Sequence, residues 1–537
     1  MANNEILKKA EYAQIVFNDL IERLGIDKVY PTTFIADPAK EELFKQSYLK
    51  ENPFPSVIAL VLAKLRKKAV TRLFEKEDIL QTPVIAAVLS LCSSLATDIG
   101  ALRGDDVSRT RIFSDISFAG MQAIRLYTAD HKEKAFKKAR CDSAIRVDNA
   151  INGSFYKYKT KDGRYVSFHV YYQSQQEKLV KALGLKKESK DFKLLSVSGD
   201  RKYLAKVCSQ HNAIDLENLA FDSEACACML RDREEWENSD VGKAVKAMPL
   251  IKFEDKGLKE LPSWGRPDPR GPLSGIKVLD ITHIIAGPAC SRILAEYGAD
   301  VLLVRRGKFL DQEQAMLELD GWAGKNSVQL DLNNSDDLAK MKELIKQADV
   351  ITYSYQNGSF DKFGLSPDEI RKLNPNVIYC ALNCFSDTVW KERPGWAPLA
   401  EDITGLSIRN GSKENPVNLN GVPLDYIPGF ILALGALKAI RQKLIDGTSY
   451  TVMTSLTRGA QYLHECTDLC KAAEKKSYDN CEITETDDTD RFTAMRTYVD
   501  ATSIGKVGFP SPATYNTTYP DLAQNMGFYD GRKGFKE

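Results

Sequence analysis

Histidine is scarce in this chain, with five residues in 537. The eleven cysteines follow no framework: "CAC" at 226–228 and the pair Cys466 and Cys470 have no second pair at zinc-site spacing. These two absences exclude a zinc module and a disulfide scaffold; no metal is expected, and free thiols point to a reducing compartment. A charge surplus is also missing, since 74 Lys and Arg face 73 Asp and Glu. No global field therefore gathers nucleic acid or an acidic membrane, although a local cationic pocket remains open. Long apolar runs are absent too. "MANNEILKKAEYAQIVFNDLIERLG" reads as an amphipathic helix carrying acids, not as a secretory signal, and no run is expected to span a membrane. The terminal "GFKE" is no peroxisomal address. These exclusions lead to a cytoplasmic expectation, with mitochondria as the alternative.

What is present is ordinary globular composition, 43% hydrophobic and 27% charged. The length exceeds one ordinary core, so two or more domains are expected. Residues 1–150 read as a helical region: "PSVIALVLAKLRKKAVTRLFEK" and "TPVIAAVLSLCSSLATDIGALRG" have apolar residues at helical spacing and almost no strand character. The pattern changes at 151. "GSFYKYKTKDGRYVSFHVYY" is two β-rich runs joined at Lys161-Asp162-Gly163, a hairpin signal. Helical segments follow, "SQQEKLVKALGL" and "DSEACACMLRDREEWENS", so 151–255 reads as a small α+β domain. Residues 256–275, "KGLKELPSWGRPDPRGPLSG", read as a linker rich in Pro and Gly. Over 276–469, strands alternate with helices: "IKVLDI", "ADVLLV", "SVQLDL", "DVITYS" and "NVIYCAL" against "GPACSRILAEYG" and "SDDLAKMKELIKQ", the last opening on a Ser cap and acids. That alternation predicts an α/β fold with an open parallel, Rossmann-like sheet that binds ligands at its strand C-termini. The tail, 470–537, is polar and turn-rich and is expected to wrap or to be partly disordered.

Candidate chemistry clusters at the predicted strand ends. Ala286 and Gly287-Pro288 open a helix whose free N–H groups attract anions, without the G-x-G-x-x-G of a dinucleotide site. Arg305 and Arg306 end the second strand, Lys325 precedes the third, and Lys362 follows the fourth. Each cation alone is more often a solvated surface charge, but four in the loops of one sheet fit a ligand with several phosphates. Asp425, in "NGVPLDYIPGFILALGALKAIRQKL", precedes a long apolar helix. It reads as a helix N-cap or as a carboxylate nucleophile.

The order of "PLSGIKVLDITHIIAGPACSRILAEYGADVLLV", "GKNSVQLDL", "ADVITYSYQNGSFDKFGLSPDEIRKLNPNVIYCAL" and "GVPLDYIPGF" resembles the class III CoA-transferase family, the CaiB/BaiF type, over 272–460. The resemblance implies a CoA-transferase that moves CoA between carboxylic acids. Coenzyme A and acyl-CoA would be substrates, with no tightly bound cofactor. Asp425 matches the family's nucleophile, which forms an acyl anhydride and then an aspartyl-CoA thioester. Arg306, Lys325, Ser354, Tyr355, Lys362, Ala286 and Gly287 match CoA-contacting positions, with Lys362 replacing an arginine and Ser354-Tyr355 replacing Asn-Phe. The racemases of the family use a "GHD" segment, where this chain has Gly395-Trp396-Ala397. His283, in the first β–α turn, reads as a hydrogen-bonded structural histidine. No match to the family's glycine-rich loop is evident. "YKTKDGRYVSFHVYYQSQQEKLVKALGL" is similar to the family's small domain but precedes the large one. With a weak echo between 99–117 and 434–456, this suggests a tandem ancestor whose first copy survives as a diverged remnant. A homodimer or an intrachain pseudo-dimer is therefore implied. A non-catalytic CoA-binding relic and a 2-methylacyl-CoA racemase or epimerase are the alternatives.

Overall fold

A computed structural model describes residues 2–37, 77–125, 130–131, 157–170, 173–184, 201–306, 320–473, 496–501, 505–510, 513–522 and 534–535. The expected helix at 55–76 and the acidic stretch at 475–491 lie outside them.

The N-terminal part comprises α1 (Ala2–Leu24), β1 (Thr32–Ile35), α2 (Gln81–Leu102), β2 (Ile112–Asp115) and α3 (Ile116–Ala123), followed by the short β3 (Asp130–His131). It is not purely helical: β1 and β2 pair in parallel, joined by α2. The strands are only four residues long, which is why a helical reading of the sequence overlooks them. The Asp115 carboxylate caps α3, accepting from the N–H groups of Ser117 and Phe118.

The small unit holds β4 (Lys157–Lys159), β5 (Tyr165–Phe168), α4 (Gln173–Ala182), α5 (Arg201–Cys208), α6 (Ala213–Asp222) and β6 (Ala227–Met229). Its sheet order is β4-β5-β6, with β4 and β5 turning at Gly163, whose φ of 76° suits glycine. Tyr158, Val166, Phe168, Leu179 and Leu216 form a core of its own. "CAC" lies in and beside β6 rather than in a helix, because Cys228 and Ala227 pair with Ser167 and Phe168. The helices α7 (Arg233–Asn238) and α8 (Asp240–Ala247) follow; Asp232 and Glu235 form a reciprocal capping box at the start of α7.

Next come β7 (Lys252–Lys259), β8 (Lys277–Ile281), α9 (Ala286–Glu296), β9 (Asp300–Arg306), β10 (Asn326–Leu330), α10 (Ser335–Gln347), β11 (Val350–Tyr353), α11 (Pro367–Leu373) and β12 (Ile378–Asn383). After them lie α12 (Ala397–Ile403), α13 (Leu406–Arg409), α14 (Pro423–Asp446), β13 (Thr448–Ser455) and α15 (Leu456–Ala473). Seven strands form one sheet in the order β10-β9-β8-β11-β12-β13-β7. All neighbours run parallel except β7, which lies antiparallel on β13. The start of the stretch read as a linker is thus sheet edge, and the irregular connection begins after Lys259. The α10 cap is Asn334, not Ser335: its side chain accepts from the N–H groups of Asp336 and Asp337 at 2.9 and 3.2 Å.

One face of this sheet packs on α10 and α11 through Leu279, Leu302, Met341, Leu344 and Ile370. The opposite face is covered by α9 and α14, and α14 packs along α2 of the N-terminal part. Both α2 and α14 are long and apolar enough to cross a membrane, and both are buried in the protein. Their polar residues hid that length in the sequence. The tail returns to the start of the chain. β14 (Arg496–Ala501) pairs with β15 (Gly505–Pro510), β15 pairs with β3, and β16 (Thr514–Asn516) lies antiparallel on β2.

Candidate active site

The strand order reverses direction at β8, whose neighbours are β9 and β11, and open α/β sheets bind ligands at such a crevice. A cavity of about 240 Å³ sits there. The turn after β8 supplies His283, Ile284, Ile285, Ala286 and Gly287; the turn after β11 supplies Ser354, Tyr355 and Gln356. The loop after β12 adds Lys391, Arg393 and Trp396, α14 adds Asp425, and α4 of the small unit adds Gln175.

Backbone strain marks the first turn. Ile284 has φ 65°, a left-handed conformation that a β-branched residue adopts at a cost of roughly 1–3 kcal/mol. Beyond it, α9 begins at Ile285 with no side-chain cap, so its first N–H groups stay available near the strand ends. Gly287 is required by close approach: a Cβ there would stand 2.5 Å from Ser354 Oγ and 2.7 Å from Thr282 Cβ. Ser354 also accepts the His283 N–H through Oγ at 3.2 Å.

Asp425 does not cap α14. The N-cap is Val422 and makes no side-chain cap, Pro423 opens the helix, and Asp425 falls in the first turn. A carboxylate at either position precedes the apolar run, so the two are alike in sequence. In this place it gains from the helix dipole while leaving the first turn uncapped. The N-terminal part fixes the approach, because the Val422 N–H donates to the Ala123 carbonyl at 3.1 Å. Gly421 is also needed there, with φ 84° and a virtual Cβ 2.5 Å from the same oxygen. The Asp425 carboxyl accepts no hydrogen bond among the described residues. Burial, reinforced by the negative charge of Glu401, pushes its pKa up to about 8.

Glu401, on α12, was not singled out by sequence reasoning. Its own pKa is pushed up to about 7 by burial, partly offset by Asn418 and the Leu419 N–H. These donate to its Oε2 at 2.8 and 2.9 Å. The adjacent Asp402 anchors the helix to the small unit, accepting from Ser167 Oγ at 2.6 Å and facing Lys157 Nζ at 3.0 Å. Burial alone would raise Asp402, but Lys157 and His169 hold it well below the usual carboxylate range. The available signal was the pair Glu401-Asp402 inside an otherwise apolar stretch.

The remaining sequence candidates separate. Ala286, Gly287, Ser354 and Tyr355 line the cavity with Asp425. Lys325 does not: its ammonium is fully buried, donating to Asp280 Oδ2 at 2.7 Å, Ser291 Oγ at 2.8 Å and the Pro288 carbonyl at 3.0 Å. Its charge neutralises Asp280 beneath the α9 terminus, so the expected phosphate contact is corrected to an internal ion pair. Lys362 is exposed over the Phe363 ring at 4.9 Å and is absent from the cavity wall. Arg306 ends β9, and its side chain lies outside the described residues. His283 is not a hydrogen-bonded structural residue. Its ring stacks on Tyr355 with centroids 4.2 Å apart, its Nδ1 has no partner among the described residues, and burial pulls its pKa down to about 4.

This crevice, with a carboxylate at a helix start, lies inside a stretch that matches a known family: residues 273–498 fit the model of CoA-transferase family III. The acetyl-coenzyme A transferase nodX of Hypoxylon pulicicidum is 31% identical over 57% of this chain and 53% of its own length. An acyl-CoA transferase of Gibberella moniliformis is 32% identical over 46% of each chain. The succinyl-CoA–L-malate CoA-transferase beta subunit of Chloroflexus aurantiacus is 32% identical over 34% of this chain and 49% of its own. The chain spans about half the length of these curated relatives. The family III stretch contains the whole cavity wall except Gln175, together with β8 to β13 of the large sheet.

Proposed function

We propose that this protein is a CoA-transferase acting on an acyl-CoA and a carboxylic acid, with Asp425 as nucleophile. The observation that carries the reading is the Asp425 carboxyl, on the wall of the strand-end cavity and without a hydrogen bond among the described residues. In the reaction, the Asp425 carboxylate attacks the thioester carbonyl, a C–O bond forms, and the C–S bond breaks to release CoA thiolate. The thiolate then attacks the Asp425 carbonyl of the anhydride, giving an aspartyl-CoA thioester and freeing the first acid as carboxylate. The acceptor carboxylate attacks that thioester, and the released thiolate attacks the acceptor's carbonyl, leaving Asp425 ionised again. Covalent capture divides one difficult exchange into easier steps.

The cavity suits the thioester end. The start of α9, which has no side-chain cap, meets it and offers N–H groups to the oxyanions formed. Its volume of about 240 Å³ holds an acyl group and a thioester, leaving the nucleotide of CoA to lie outside. Asp425 and Glu401 titrate as a pair, because two carboxylates in one poorly solvated place resist ionising together. Glu401 ionises first and its charge holds the proton on Asp425, so the nucleophile becomes available as the pair sheds its second proton.

The test is isotopic exchange of a labelled acid into its own CoA thioester, with mass spectrometry of the protein. Wild-type protein is expected to exchange label and to yield a CoA adduct on the peptide holding Asp425. Exchange that persists in Asp425→Ala would end the proposal.

A further inference from the structure

Glu217, on α6, stands between two arginines. Arg231 grips both its carboxylate oxygens, each at 2.8 Å. Arg393 reaches it only at 3.6 Å, too far for a hydrogen bond. Two guanidinium charges thus share one carboxylate, and one positive charge is left over where water is scarce. The Arg393 side chain is 16% exposed and Glu217 2%. Such a surplus is costly unless an anion meets it. The other charges near Arg393 do not remove it: Asp222 and Glu392 are exposed, and Lys391 adds a further cation to the cavity wall.

Arg393 is held in an unusual way for an arginine beside a carboxylate. Its side chain donates no hydrogen bond among the described residues, and its Nε is buried without an acceptor. Two aromatic rings fix it instead, Trp390 at 4.1 Å and Phe221 at 4.3 Å from its Cζ. Ring contacts orient the guanidinium without consuming its N–H donors. Arg393 lines the same cavity as Asp425, together with Gln175, whose Oε1 also lacks a partner among the described residues. A rigid, planar, donor-rich fork with a spare positive charge matches a carboxylate in two-point contact.

We propose that Arg393 receives the second carboxylate of a dicarboxylic acyl group, whose thioester end faces Asp425. The inference rests on the CoA-transfer reading and adds the substrate class. A phosphate of CoA fits less well, because the small shared cavity has no room for the nucleotide beside the thioester. Phe221 and Glu217 belong to the small unit, so that unit builds the specificity wall.

Two thioesters of equal chain length separate these cases: succinyl-CoA carries a terminal carboxylate and butyryl-CoA does not. Exchange of labelled succinate and of labelled butyrate into their own thioesters is measured on wild type and on Arg393→Gln. The succinyl-to-butyryl ratio of kcat/KM is expected to fall roughly 10- to 100-fold in the variant, the range of one charge-assisted contact. Arg393→Lys should recover part of it, keeping the charge but not the fork. Both substrates share one preparation, so loss of folded protein cancels. An unchanged ratio overturns the proposal, and an equal loss for both substrates reassigns Arg393 to CoA itself. If the wild type exchanges neither label, the transfer reading fails, and the subsite is then judged by calorimetry. Tighter binding of succinyl-CoA than of butyryl-CoA, lost in Arg393→Gln, supports it; equal affinity refutes it.

Discussion

Asp425→Asn is expected to abolish exchange and yet stabilise the protein. The carboxyl has a pKa pushed up to about 8 in the folded chain, against about 3.9 in an unfolded one. The folded state therefore holds its proton at neutral pH while the unfolded state releases it. That gap spans about three pH units at pH 7, and at ~1.4 kcal/mol per unit the ceiling is ~4 kcal/mol. Part of the side chain meets cavity water, which reduces the figure to about 2 kcal/mol. Asparagine has nearly the same shape, never ionises, and gives up no hydrogen bond to the described residues, since the carboxyl makes none among them. The sign follows from linkage. A raised folded pKa gives stability that is present below about pH 4 and lost as pH climbs through about 8. The variant's advantage should thus grow from pH 5 to pH 8 and then level off. In a chain of this size, ~2 kcal/mol corresponds to a Tm rise of about 2 °C, within reach of scanning calorimetry. A variant that is no more stable than wild type at pH 8, or an advantage that does not vary with pH, would refute the reasoning.

Glu401→Gln keeps acceptors for Asn418 and the Leu419 N–H but removes the negative charge that raises Asp425. The pH profile of exchange should shift toward acid, and a profile fixed in place would separate the two carboxyls. Lys325→Met leaves Asp280 charged and buried, so unfolding in urea should show a loss of ~3–5 kcal/mol. Adding Asp280→Asn should recover most of it, and a CoA affinity that falls without loss of stability would restore Lys325 as a ligand. Gly287→Ala forces the start of α9 away from Ser354 and Thr282. Acyl-CoA binding should weaken at least roughly 10-fold by calorimetry, about 1.4 kcal/mol, with the wild-type affinity as the refuting result.

The parallel sheet was legible because its strands are buried on both faces and therefore read as short unbroken apolar runs, such as "VLDI" in β8 and "VITY" in β11. The crevice followed from the alternation of those runs with helices, and Ala286, Gly287, Ser354, Tyr355 and Asp425 do meet there. What stayed hidden depends on partners far along the chain. Lys325 looks like any lysine before a strand until Asp280, 45 residues earlier, is found beneath it. Arg393 gains its meaning from Phe221, on a helix of another unit. The exact place of Asp425 in α14 rests on the Ala123 carbonyl, which no local pattern reveals. The short strands β1 and β2 fall below the length at which a two-residue period stands out.

The three-stranded sheet built from β1, β2 and β16 has a consequence for how the chain is made. β16 takes its place on β2 only after roughly 400 further residues have been added. At about 5–20 residues per second, that delay is on the order of 20–80 seconds. Through it, one edge of β2, carrying Ile112 and Phe113, waits on the ribosome without its final neighbour. An open strand edge of that kind is a template for wrong pairing. This part of the protein is thus finished long after it emerges, and its yield in a cell should depend on whatever shields that edge in the interval.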